Sequence, residues 1–348
     1  MSSTTSSVAK ISTVRIPLFI SLFLLLVSIV LSLGFGAADV SFSQALNALL
    51  NALNSSHQVN IIDRIIIELR LPRVLLAALA GSGLAIAGHA LQTVLRNPLA
   101  DPFLFGISSG ASLGAITYLT LFSSQVAVLS SFGHIGLSMA AFIGASLSVA
   151  IVIALSGRGL AQQAERMLLA GVAVSFMFGA LSSLMLYFAD PRAAAAVLFW
   201  SLGSFTKASW DNLTMPFVIV ALCFICLWLF RRLTAALQLG DETAHTLGIN
   251  VAKVRLGILL VCSLLTATLV AACGGIGFVG LMIPHTVRML FPNQSPLFLT
   301  ALLGACFMVW VDVLARTLLA NQELPVGIIT AAIGSVFFIF LLSRQKRS

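Results

Sequence analysis

The stretch Ile67–Gly88, IELRLPRVLLAALAGSGLAIAG, decides how the chain is read. Arg70 and Arg73 stand three apart at the mouth of an apolar run, and no Asp, Glu, Lys or Arg follows before Arg96. About 20 apolar residues suffice to cross the hydrocarbon core of a bilayer as a helix. The run is continuous rather than alternating, so it reads as a spanning helix and not as a barrel strand. Its Gly81, Gly83 and Gly88 loosely match a nucleotide-binding glycine pattern, but no strand precedes them. Small residues inside a spanning helix serve close helix packing.

The same composition extends along the whole chain. Of 348 residues 59% are hydrophobic and 9% charged, whereas a soluble domain carries about a quarter charged residues. Most of the surface therefore faces lipid, and the chain is an all-α polytopic membrane protein. The net charge of +8 does not imply nucleic acid. Its cations fall one or two at a time between apolar runs, as topology signals do, and form no phosphate-tracking face. Cys223 and Cys226 spell C-x-x-C inside VALCFICLWLF, a lipid-depth context that favours small buried apolar residues over redox or metal chemistry.

Apolar runs predict ten spans, at roughly 16–36, 71–93, 103–122, 134–156, 164–188, 212–231, 253–273, 276–291, 296–318 and 323–343. The third and eighth are short and glycine-rich. The first mimics a signal peptide behind Lys10 and Arg15, but its apolar part is long and reads as a retained span. Residues 1–15 and 344–348 are expected to be cytoplasmic tails around one transmembrane domain, 16–343. With the N-terminus inside, 13 of the 19 Lys and Arg fall on the cytoplasmic side and 6 on the other, which supports both termini inside.

Arg64, Arg70 and Arg73 then face outward, against that bias. They either snorkel to lipid phosphates or form an electropositive dock for an acidic partner. The outer segment SFSQALNALLNAL (41–53) reads as an interfacial amphipathic helix. The largest inner loop, 231–255, holds GDETAHTLG, a short helix that Asp241 can cap and Gly248 can end. Such a helix is a natural contact for a soluble subunit.

Catalytic motifs are missing: there is no G-x-x-x-x-G-K-[ST], H-E-x-x-H or G-x-S-x-G. Neither a cofactor nor a metal site is expected. His89 and His285 read as packing histidines rather than ligands. Asp312 and Arg316, one helical turn apart, read as a local ion pair, and Glu323 as a charge favouring a helix N-terminus. Mid-span acids of an ion relay are nearly absent. Glycine, serine and alanine instead fill FGISSGASLGA (105–115) and CGGIGFVGLMIP (273–284). They suit close packing or a wide uncharged path, and hint at a weak inverted repeat.

Beyond these readings, RLPRVLLAALAGSGLAIAGHALQTVLRNPLADPFLFGISSGASLGA (70–115) resembles the signature of the FecCD family. These are permease subunits of ATP-binding-cassette importers for ferric siderophores, haem and cobalamin. The likeness continues through LFWSLGSF (198–205), LQLGDETAHTLGI (237–249), GGIGFVGLMIPHTVRML (274–290), VDVLAR (311–316) and ELPVGIITAAIGSVFFIFLL (323–342). The resemblance implies the type II importer architecture of about ten helices in a bacterial inner membrane. The partners implied are a second copy or a homologous permease, two cytoplasmic ATPases and a periplasmic binding protein. It assigns Arg70, Arg73 and Arg316 to docking of that binding protein. Leu239, Gly240, Asp241, Glu242, Ala244, Leu247 and Gly248 become the coupling helix set against an ATPase. Ser108, Ser109, Gly110, Trp200 and Gly203 become candidates for the translocation path. Ala195 stands where many relatives have an arginine, which weakens any pocket-arginine role. A ferric siderophore is the expected cargo; haem or cobalamin is the rival within the family, and an ion-coupled secondary transporter the rival outside it.

Overall fold

In the computed structural model the described residues are 3–36, 40–53, 60–121, 133–156, 164–292, 296–319 and 322–345. Arg158, Lys346 and Arg347, counted among the inner cations, lie outside them. The described residues form helices and connecting turns, with no strand among them. Eight helical segments are long and apolar enough to span a membrane. The remaining two of the ten expected spans are helices of 15 and 12 residues, Ile107–Leu121 and Val279–Leu290. They are the glycine-rich pair.

Helix α1 (Ser3–Gly34) leads into the amphipathic α2 (Phe42–Leu53). On α2, Ala45 and Ala48 are buried while Phe42, Leu46 and Leu50 are exposed. Next, α3 (Ile61–Arg64) runs through a π-helical turn, Ile65–Arg70, into α4 (Leu71–Leu95). Pro72 explains the π turn. It has no N–H for the carbonyl four residues earlier, so the helix widens just before it and Leu71 N–H reaches back to Ile66 O.

α4 is the central strut. It packs against α9 (Trp210–Leu229), α12 (Val251–Cys273), α13 (Val279–Leu290) and α14 (Pro296–Thr317). Its contact with α14 is backbone to backbone: a Cβ on Gly81 would overlap the Gly304 carbonyl, and a Cβ on Gly304 the Gly81 carbonyl. Without a hydrophobic driving force between helices in lipid, such close approach is what holds them together.

A second layer is built the same way. α5 (Ile107–Leu121) packs on α6 (Gly133–Ser156) and α7 (Ala164–Phe188). Gly110 and Gly144 face each other there, each leaving no room for a Cβ on the other. The short helices α8 (Pro191–Ser201), α10 (Arg231–Gln238) and α11 (Asp241–Thr246) lie between longer ones, and α15 (Val326–Gln345) is the final helix. Large apolar side chains point outward, among them Phe23, Phe176 and Ile339. Of the 17 buried residues of α4, by contrast, eight are Ala or Gly. That distribution suits a bundle whose outer solvent is hydrocarbon.

Candidate functional site

Two charged clusters terminate the strut α4, one at each end. At its N-terminal end Arg73 donates from Nε to Asp312 Oδ1 at 2.8 Å, and from Nη1 and Nη2 to the two Glu323 oxygens at 2.9 and 2.8 Å. Arg316 lies 3.1 Å from Asp312 Oδ2, so the local pair expected from sequence exists inside a larger network. Glu323 is more than a charge at a helix start: it clasps Arg73 across 250 residues of sequence.

Arg70 and Arg316 also serve α1. Arg70 Nη1 donates to Leu33 O at 2.6 Å, and Arg316 Nη1 and Nη2 donate to Phe35 O and Ser32 O at 2.9 and 3.4 Å. The last carbonyls of a helix have no partners within it and carry partial negative charge. Two guanidiniums thus cap α1. The three arginines assigned to docking do converge, but none is a free rim cation. Arg70 is buried, and the side chains of Arg73 and Arg316 are 12% and 5% exposed. Glu323, at 43%, is the exposed member of the network.

Beside this cluster lies a cavity of about 600 Å3 whose lining includes Trp200, Gly203, Lys207, Asp211, Met215 and Glu323. Gly203 has φ +78°, a conformation that favours glycine, and a Cβ there would press on the Gly275 carbonyl. Its loop is stitched to two helices: Ser204 N–H donates to Cys273 O, Val326 N–H to Gly203 O and Gly327 N–H to Leu202 O. Of the path residues named from sequence, Trp200 and Gly203 line this cavity. Ser108 sits near Gly275, and Ser109 Oγ donates to Gly106 O at 3.0 Å. Gly110 is buried against Gly144, where a Cβ would meet the Gly144 carbonyl.

At the C-terminal end of α4, Arg96 takes a left-handed conformation, φ 49°, and its guanidinium pairs with Asp241. Arg255 of α12, its side chain 4% exposed, reaches the same carboxylate at 3.2 and 3.3 Å. The expectation that Asp241 caps α11 is therefore corrected. Gly240, φ 120°, occupies the capping position without a side-chain bond, and Asp241 is the first helical residue with its carboxylate turned to the two arginines. Gly248, φ +77°, ends the turn as expected, its N–H donating to His245 O. Ala244 is buried, while Leu239, Glu242 and Leu247 are exposed.

Sequence reasoning missed further polar ties at this end. Gln92 of α4 donates to Gly280 O at 2.9 Å and accepts from Arg288 at 2.8 Å. Asp101 Oδ1 accepts from Phe103 N–H at 2.7 Å, starting a 3-10 turn over Pro102–Phe105. Burial pushes the Asp101 carboxyl up to about 6, with the Phe103 N–H pulling the other way. None of the partners of Gln92 or Asp241 is close enough in sequence to signal the bond. Cys223 and Cys226 carry free thiols, and no group of metal-ligating side chains occurs among the described residues.

A helical bundle with eight helices long and apolar enough to cross a membrane, a cavity beside one end of α4 and a short helix tied to the other, has the architecture of a polytopic membrane protein. The sequence pattern of the FecCD transport family matches residues 24–344, and the chain belongs to that family. It is 38% identical to the hemin transport system permease HmuU of Yersinia pestis, over 93% of this chain and 95% of that protein. It is equally 38% identical to a probable iron chelatin transport system permease of Helicobacter pylori, over 90% and 93%. A solved metal-chelate type ABC transporter in an inward-facing conformation superposes with a TM-score of 0.81 at 33% identity, covering 94% of this chain and 98% of that one. The chain is accordingly a permease subunit of an ABC importer and not an enzyme; ATP hydrolysis lies in a separate subunit.

Proposed function

We propose that the chain carries a bulky iron chelate, a ferric siderophore, from the periplasm to the cytoplasm of a bacterium, working as a pair of permeases with two cytoplasmic ATPases. The observation that carries this reading is the surface of α11 and its flanks. Exposed Leu239 and Leu247 bracket exposed Glu242 on a short helix whose limits Gly240 and Gly248 mark. Isolated apolar side chains beside a charge, on a rigid projection, suit insertion into a cleft of a soluble partner. Power then arrives mechanically, and the permease needs no catalytic group.

The cargo class is drawn from relatives named for hemin, iron chelatin and vitamin B12. The cavity beside Trp200 fits that class in character: about 600 Å3, with Lys207 and Asp211 among apolar walls. Haem and cobalamin remain the alternatives within this reading. Docking of an external binding protein belongs at the Arg70, Arg73 and Arg316 end, where Arg73 and Arg316 meet Asp312, Arg73 also holds Glu323, and Arg70 caps α1. An incoming acidic side chain would compete with Glu323 for Arg73.

The test is uptake into proteoliposomes holding this chain and its ATPase, with the binding protein outside and ATP inside. Ferric siderophore, hemin and cobalamin are offered separately. ATP-dependent uptake of the siderophore is expected. Uptake by the chain alone under a proton gradient, without ATP, would establish the secondary-transporter reading instead.

A further inference from the structure

The two acidic residues at the start of α11 stand in different chemical situations. Glu242 is exposed. Asp241 faces inward to Arg96 at the end of α4 and to Arg255 near the start of α12. From this division we infer that Asp241 is an internal positioning residue, which with Arg96 fastens the coupling helix to α4, while Glu242 alone of the pair addresses the ATPase. The inference rests on the proposed contact between α11 and an ATPase and assigns the route by which that contact reaches the membrane.

The route follows from the packing of α4. A push on α11 is delivered through the Asp241 carboxylate to the guanidinium of Arg96, which sits at the C-cap of α4 with its N–H on Gln92 O. α4 cannot yield locally. It is buried along most of its length, and its contacts with Gly304 and Gly280 leave no slack for a side chain. Close-packed elements of this kind move as bodies rather than deform. At its other end α4 holds Arg73, and through it Asp312 on α14 and Glu323 at the cavity. A displacement at α11 is thereby expressed at the cavity. Arg255 supplies a second branch into α12, whose Cys273 carbonyl holds Ser204 beside the cavity.

Asp241→Ala is a poor test, because it removes the carboxylate from Arg96 and from the buried Arg255 at once and so does not isolate the tie to α4. Arg96 is the cleaner site: its side chain is 39% exposed, and asparagine tolerates its left-handed backbone. In the assembled complex in proteoliposomes, Arg96→Asn is expected to leave co-purification of the ATPase and ATP hydrolysis intact. Chelate uptake should fall by about tenfold, an ordinary coupling free energy, and Arg96→Lys should restore much of it. Wild-type uptake by Arg96→Asn, or loss of the ATPase from that variant, overturns the inference. Glu242→Arg tests the underlying reading separately. It should weaken ATPase association, and unchanged association would overturn the docking assignment and the inference with it.

Discussion

Arg73 on α4 holds Glu323, just before α15, with both terminal nitrogens, while its Nε holds Asp312 on α14. One planar guanidinium thus joins three parts of the chain, a geometry that lysine could not reproduce.

Asp312 is the buried keystone, its side chain 0% exposed between Arg73 and Arg316. Asp312→Ala takes the carboxylate from Arg316 and leaves Arg73 with Glu323 alone. Breaking a buried pair by removing one partner costs about 3–5 kcal/mol, so the detergent-solubilised variant should melt well below the parent. An unchanged melting temperature would show that the cluster contributes nothing to the fold.

Glu323→Gln keeps the shape but removes the charge competing for Arg73. Binding of the external substrate-binding protein should then tighten at low ionic strength. The gain should vanish at high salt, where charges a Debye length apart, about 10 Å at 0.1 M, are screened. Titration of the binding protein against both variants across salt decides it; weaker binding by Glu323→Gln at low salt would mean that Glu323 itself makes the contact.

Gly110 and Trp200 should separate packing from passage. Gly110→Leu drives a side chain into the Gly144 backbone; overpacking costs about 1–3 kcal/mol or more, so this variant should lose thermal stability and yield. Trp200→Ala alters a cavity wall and should change chelate uptake while the protein remains folded. Size-exclusion profiles, melting curves and uptake are compared for both.

Asp101 gives a pH signature. Its folded pKa, about 6, lies above the 3.8 of the free group, so the native state holds the proton more tightly. Stability from this residue is full below about pH 4, falls as pH rises through 6, and the loss approaches about 3 kcal/mol at neutral pH. Asp101→Asn, still able to accept from Phe103 N–H, should flatten that decline and raise the melting temperature at pH 7. Parallel melts from pH 4 to 7 measure it.

The helical membrane fold was legible because apolar runs between charges need no tertiary knowledge. The two short glycine-rich helices were also visible, as was the α11 turn, whose Gly240 and Gly248 mark its limits. The site was legible only in part. That Arg70 and Arg73 matter could be read from their place at a span mouth, but not that Leu33, Asp312 and Glu323 would consume their donors. Those partners lie 37, 239 and 250 residues away, and sequence spacing carries no information about such pairings. Gly110 shows a related limit: a small residue marks close approach, and sequence alone does not name the Gly144 backbone it meets.

The arginine caps on α1 bear on biogenesis. The carbonyls of Ser32, Leu33 and Phe35 emerge from the ribosome long before Arg316, which arrives 284 and 281 residues after the first and last of them. The leading helix therefore reaches the lipid with its trailing end unfinished, and its final seating must wait until the penultimate helix is inserted.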